Sequence, residues 1–414
     1  ALAVGAETAK EDASDIGDSL SMANKIVASG GTSNTGNRSR VAGYAEFMIP
    51  VIGDHNRLAG IHSLGVHAAW RVENYSDFGA SDNPKVGVKY APNERILLRS
   101  TYQRAFAAPS LQHLYMGTSI SYPFLIDPSR GDEGMQYRTK VGGNADLQPE
   151  EADSISAGAV FDIPMPENMD LRLEFNWSRI ELENQITSVG AQYMLNNEAL
   201  FTSKIIRNEQ TDADKVADNP GPDGRFGTET NPEWGEDDIP NGGVPGSIKY
   251  INNSFLNLAD VHVEAVDFRV NYGLDTSVGY FSSSLDAAYQ YEYDFKARPT
   301  DGFSNQVGTY NFPEWRGRLS LWWSMDKYSA GASVNYVDSF DQQWGAIPEV
   351  DSFTTLDLQA SYDLTDSARI TLGALNVTDE DPPWSDGEAE GYALNAAGHS
   401  PLGTVLYGRV SVRF

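Results

Sequence analysis

The chain has 414 residues, a formal net charge of -28 and no cysteine. No run approaches the roughly 18 to 20 continuous apolar residues of a membrane helix, so a helical membrane protein is excluded. The acidic balance disfavours nucleic acid, because phosphate contacts need lysine and arginine, and the missing thiols exclude disulfide frameworks, thiolate metal sites and cysteine nucleophiles.

Residues 1–40 are rich in Ser, Gly, Ala and Asp and have no basic start followed by an apolar stretch. They read as an irregular lead-in or an extracellular loop rather than a targeting segment. From 41 to 414 the pattern predicts strands in pairs, about thirteen in all. Leu171, Leu173, Phe175 and Trp177 alternate with Arg172, Glu174 and Asn176. Val266, Phe268, Val270 and Tyr272 alternate with Asp267, Arg269 and Asn271. Over 280–295, Phe281, Leu285, Ala287, Tyr289, Tyr291, Tyr293 and Phe295 fall on one face, with Ser284, Asp286, Gln290, Glu292 and Asp294 on the other. The same period of two runs through 356–363, and again through the last residues LYGRVSVRF, ending at Phe414. Such alternation gives each strand one dry and one wet face. A soluble sandwich buries the dry face on a second sheet, whereas a transmembrane barrel turns it to lipid.

Loop length separates these two. Short turns at 53–57, 91–94, 164–168, 275–279, 325–328 and 364–368 alternate with long connections at 107–148, 189–260, 298–311, 340–350 and 379–402. Short turns on one side and long loops on the other fit an antiparallel outer-membrane β-barrel.

Four segments carry a family resemblance: SDNPKVGVKYAPNERILLRSTYQRAFAAPSLQHLY (81–115), GNADLQPEEADSISAGAVFD (143–162), ALNVTDEDPPW (374–384) and the terminal GRVSVRF. In order and spacing the chain resembles the C-terminal part of the barrel of TonB-dependent outer-membrane receptors, over most of 41–414. It departs from the family pattern at Ala107, Ala145 and Thr378, all mild changes. The resemblance implies an all-β transmembrane antiparallel barrel of twenty-two strands, of which this chain supplies the C-terminal portion. It also implies a plug domain and a box that engages a TonB-type coupling protein, neither visible here, so that the remaining strands belong to the same gene or to a partner chain. An open sheet edge in lipid costs several kcal/mol per unpaired group, so the sheet must be completed.

The implied role is energy-coupled uptake of a nutrient across the bacterial outer membrane, with substrate held where extracellular loops converge. In this chain the loop aromatics and arginines that qualify as ligand contacts are Tyr115, Tyr122, Phe124, Arg130, Tyr137, Arg138, Tyr193, Trp234, Trp344 and Trp384. Aromatics at loop bases also serve as girdle or packing residues. Lumen-facing Arg99, Arg172, Arg269, Arg316 and Arg318 are expected to pair with carboxylates of the wall or of a plug. The acidic loop 211–238 offers Asp212, Asp214, Asp218 and Asp223 as hard oxygen ligands for calcium, although the glycine and closing glutamate of a calcium loop are out of register. An ordinary acidic surface loop is the competing reading.

The six histidines, His55, His62, His67, His113, His262 and His399, have no metal-ligand spacing. No GxSxG elbow or P-loop is present, so no enzyme is expected and no cofactor is required. Two other functions compete with transport: a barrel that anchors an assembly or an adhesion surface, and a soluble all-β carbohydrate-binding protein.

Overall fold

The computed structural model describes residues 1–23, 25–26, 32–131, 133–216, 244–309, 312–342, 348–384 and 399–413. Fourteen strands follow one another in a single antiparallel sheet, each paired with the next along the path. They are β1 (Leu2–Asp15), β2 (Asn34–Ile52), β3 (Ser63–Tyr75), β4 (Gly79–Asn93), β5 (Ile96–Ala107), β6 (Glu150–Ile163) and β7 (Met169–Thr187). Then come β8 (Leu256–Thr276), β9 (Gly279–Lys296), β10 (Trp315–Met325), β11 (Tyr328–Val337), β12 (Phe353–Thr365), β13 (Ala368–Leu375) and β14 (Val405–Val412). The short strand Ser304–Asn305 pairs beside β9.

Residues 2–15 and 34–40 are therefore strand rather than an irregular lead-in or loop. Leu2–Asp15 is a full strand in continuous register with β2, from Leu2↔Phe47 to Asp15↔Asn34. Its composition hides it, since only Leu2, Val4 and small alanines mark a dry face and its upper half is polar on both sides. The stretch 189–260 also differs from a plain loop. It contains a helix at Ala191–Asn196 and strands at Ile205–Arg207 and Ile248–Asn252, and β8 begins within it.

Which face is dry follows from exposure. Val41, Phe47, Trp70, Val86, Phe175, Leu321, Leu358, Leu372, Leu406 and Val410 all stand exposed on one side of the sheet. Water would not tolerate so continuous an apolar band, whereas hydrocarbon does. Near the long-loop end this outer face carries Trp177, Phe268, Tyr289 and Trp315, with Tyr289 stacked on Trp315 at 4.5 Å and Phe268 edge-on to the same indole. Aromatic belts of this kind sit at the headgroup level.

The row expected over 280–295 breaks at this belt. An extra residue in β9 shifts the register between Glu264 and Ala265, so Tyr289 pairs with Val266 but Tyr293 pairs with Val263 and Glu292 with Glu264. Above the shift Tyr293 and Phe295 turn inward and the carboxylates outward. The reason is the change of solvent: beyond the bilayer the outer face meets water, and apolar groups gain by turning in under the loops. Trp177 marks the level, its Nε1 donating to Tyr291 Oη at 2.8 Å.

Candidate functional site: the extracellular cap

The described residues of loops 108–149 and 188–255 fold together into a cap over the long-loop end. Ile205–Arg207 and Ile248–Asn252 pair antiparallel, Ile251 then pairs in parallel with Thr139, and Thr139–Val141 pairs with Ser119–Ser121. A hairpin, Phe124–Asp127 with Glu133–Gln136, lies beside this small sheet. Met194 and Ile251 are fully buried, packed with Leu195, Tyr137, Phe201 and Ile205. Short segments acquire stability here by sharing one core, because none buries enough apolar surface alone.

Polar side chains lock the pieces to one another and to the barrel rim. The Gln192 amide acts like a strand edge, donating to Ile126 O and accepting from Ile126 N, both at 2.8 Å. Asn257 at the start of β8 accepts from Gln148 N at 2.9 Å and donates to Asn184 O at 2.8 Å. Arg38 of β2 donates to Pro109 O at 2.9 Å and to Glu11. Ser110 caps the helix Leu111–Tyr115 by accepting from His113 N.

The strongest electrostatic feature is a triad built round one buried carboxylate. Arg207 donates to both oxygens of Asp127 at 2.7 and 2.9 Å and to both of Glu198 at 2.7 and 2.6 Å. Asp127 is wholly buried, and Ser129 donates to Glu198 as well. Burial alone would push the Glu198 carboxyl up, but the hydrogen bonds and charge of Arg207 outweigh it and hold the group below its usual range. The Arg207 guanidinium is correspondingly more tightly protonated than usual, its hydrogen bonds to both carboxylates overcoming desolvation. A second pair closes the far end, where Arg130 meets Asp214 at 2.8 Å and donates to Pro245 O. Hydrogen bonding from the Thr211 backbone, then from Arg130 and the Thr211 hydroxyl, brings the Asp214 carboxyl down to about 2.

Several expected ligand contacts therefore serve the cap itself. Tyr137 is 3% exposed and belongs to the core. Arg130 is consumed by Asp214. Tyr115 packs over Gly36 of β2, where no Cβ would fit beneath its ring. Tyr193 joins the cap to the β9–β10 connection, under Arg298 at 4.6 Å and within 2.5 Å of Thr300 Oγ1. Tyr122, Phe124, Arg138 and Trp384 do stand exposed. Trp234 and Trp344 lie outside the described residues.

For calcium, Asp214 is committed to Arg130 and Thr211, Asp212 is fully exposed beside Lys215, and Asp218 and Asp223 lie outside the described residues. Among the described residues no three acidic or histidine side chains converge on a metal-holding position.

Sequence reading missed Arg207, Asp127, Glu198 and Gln192. Only Asp127 before Pro128 carries a local signal, that of a cap, and its side chain does accept from Ser129 N. Lys140 over Tyr250 at 3.7 Å was also unforeseen. On the barrel's inner face Arg172 pairs with Asp162 and Arg269 with Asp286, as expected. Arg99 donates to Asn176 at 2.7 Å with Glu174 at 3.8 Å. Arg316 and Arg318 find no carboxylate among the described residues, against the expectation for the wall.

No curated protein sequence matches the chain. In structure it is similar to the siderophore receptor PirA from Acinetobacter baumannii, with TM-score 0.64 and 14% identity over 100% of this chain and 52% of that one. It is similar too to a mutant ferric enterobactin receptor, PfeA, from Pseudomonas aeruginosa in complex with enterobactin, with TM-score 0.64 and 17% identity over 99% and 51%. A double mutant of the Serratia marcescens hemophore receptor HasR, in complex with its hemophore HasA and heme, matches with TM-score 0.50 and 15% identity over 100% and 59%. The chain thus spans about half the length of the first two and somewhat more of the third. At these identities the likeness shows the fold. The family model described as TonB dependent receptor-like, beta-barrel, matches residues 5–377. With that match the soluble carbohydrate-binding alternative falls, and the chain belongs to the TonB-dependent receptor β-barrel family, whose members are transporters and not enzymes.

Proposed function

We propose that the protein of which this barrel is part takes up an iron chelate or haem across the outer membrane, using energy delivered by a TonB-type coupling protein. The observation that carries this reading is the cap: a folded, cored structure on the long-loop end that leaves Tyr122, Phe124 and Arg138 open to the outside. A passive anchor needs no such platform, whereas a receptor needs rigid loops that present aromatic and cationic groups at fixed positions. The ligands named for PirA, PfeA and HasR support iron compounds as the first class to try.

The test is uptake of a panel of radioiron-labelled chelates and haem by iron-starved cells with and without the gene, and with the coupling protein depleted. The reading predicts that one compound is lost in both deficient strains. Uptake of every compound unchanged by gene deletion would favour the anchoring role.

A further inference from the structure

The barrel wall has a seam. Between β4 and β5 the ladder rises from Asn93↔Ile96 and ends at Lys85↔Gln103. On its other side β4 stays paired with β3 up to Tyr75↔Gly79, and β5 stays paired with β6 up to Ala107↔Glu150. Residues 79–84 and 104–107 therefore face each other without a ladder. Pro84 stands where the pairing stops, and proline has no N–H to carry it further. Ser100 lies level with the Trp177 belt, through Ala157. Gln103 is three residues higher, about 10 Å. The seam thus meets water rather than hydrocarbon, where open backbone groups are tolerated.

Side chains close what the backbone leaves open. Arg38 of β2, only 6% exposed, bridges the two sides. Its guanidinium donates to Asp77, in the turn between β3 and β4, at 3.5 Å, and to Pro109 O, just beyond β5, at 2.9 Å. Glu11 holds its other edge at 2.9 Å. Phe106 of β5 meets Tyr75 edge-on at 5.8 Å and Phe78 at 6.2 Å. Asn83 of β4 has a buried Oδ1 that accepts no hydrogen bond. Such an acceptor costs stability while the seam is shut and gains water when it parts.

Parting two paired strands breaks their ladder of backbone hydrogen bonds. Parting this boundary breaks only the Arg38 bridge and the Phe106 ring contacts. Because β5 runs directly into the cap, a wall that yields here carries the cap's first connection away from β1–β4. We propose that the β4–β5 seam is a joint in the barrel wall, held shut by Arg38, at which the extracellular rim widens to pass a bulky ligand. Its use in uptake rests on the receptor reading.

The experiment uses the complete receptor in bilayers. Spin labels are placed across the seam through Asp82→Cys and Glu151→Cys, both exposed, and on one side of it through Asn74→Cys and Asp82→Cys. With Arg38→Gln, pulsed dipolar spectroscopy should show a cross-seam population longer by about one strand spacing, ~5 Å. The pair on one side should not change. Asp77→Asn, a milder loss, should give a smaller population of the same length. Heat-dependent gel mobility establishes that each barrel is folded. A cross-seam distance unaltered by both variants, or equal lengthening of both label pairs, would overturn the joint.

A second arm tests its use. Asn83→Cys and Ala105→Cys, facing each other across the seam, are bridged by a short bis-methanethiosulfonate that a thiol reductant removes. Uptake of whichever radioiron-labelled chelate or haem the unaltered receptor carries should fall several-fold and recover on reduction. Uptake undiminished by a formed bridge would overturn the gating role. Failure of the unaltered receptor to carry any compound would refute the receptor reading and this use of the seam, while the label distances still decide the joint.

Discussion

Arg207 shows what a side chain inside the cap is asked to do. Its partner Asp127 has no exposure, so the pair survives only because both acceptor oxygens are filled and Glu198 completes the guanidinium fork. Arg207→Met keeps much of the volume but strands a buried carboxylate. The expected cost is about 3–5 kcal/mol of local stability, the range for breaking a buried pair. Hydrogen exchange should show Ile205–Arg207 and Ile248–Asn252 losing protection while β8 and β9 keep theirs. Unchanged exchange in the cap would contradict this account of the triad.

At the same scale the sequence was least informative. It shows that Tyr137 and Arg130 are an aromatic and a cation in a polar loop, which is also the signature of a ligand contact. It does not show direction. Tyr137 points into a core assembled from residues more than fifty positions away, such as Met194 and Ile251, and no local pattern announces that.

Among elements, period-two alternation was readable wherever one face meets hydrocarbon and the other water, as in β7, β8 and β12. It failed where that contrast disappears. The upper half of β1 has its inner side covered by the helix Leu111–Tyr115, where Ala13 packs, and β9 above Tyr289 turns its apolar side chains inward, so the continued alternation of tyrosines misled about which face they occupy. The turns were legible because hairpins impose local demands. Asp326, for instance, takes a left-handed φ of 50° in the two-residue turn between β10 and β11, which aspartate tolerates better than most residues.

Face assignment yields a paired prediction. Leu321 on the outer face of β10 is 51% exposed, and Leu321→Arg should destabilise the barrel by about 2–4 kcal/mol, the range for arginine at the lipid midplane. Ser284, inward between Asn271 and Ser320, should accept arginine at far smaller cost because its neighbours are polar and Asp286 is near. Urea unfolding in bilayers distinguishes the two substitutions. Equal losses would mean that the faces are misassigned.

Taken as a whole, the molecule divides by solvent rather than by domain: an apolar outside, a polar inside and a water-exposed cap built from two connections. Among the described residues β1 and β14, the ends of the path, hydrogen-bond to a neighbouring strand on one side only, and membrane cannot satisfy their open edges. That agrees with a chain spanning about half of the solved PirA and PfeA receptors. Composition, charge and loop lengths were enough to read this division, because they sum over many residues and do not depend on any one contact. The cap's core was not, since its strands are three to five residues long and are brought together by tertiary contact alone.

The partition of solvents is tested most directly by scanning β12 from Leu356 to Asp363 with single cysteines, each unique in a chain that has none. Spin labels on them would be measured in bilayers, within the complete receptor, for collision with oxygen and with a water-soluble nickel chelate. Even-numbered sites should favour oxygen and odd-numbered sites the chelate, alternating at every residue. A uniform profile, or the opposite phase, would contradict the assignment of an apolar face to lipid.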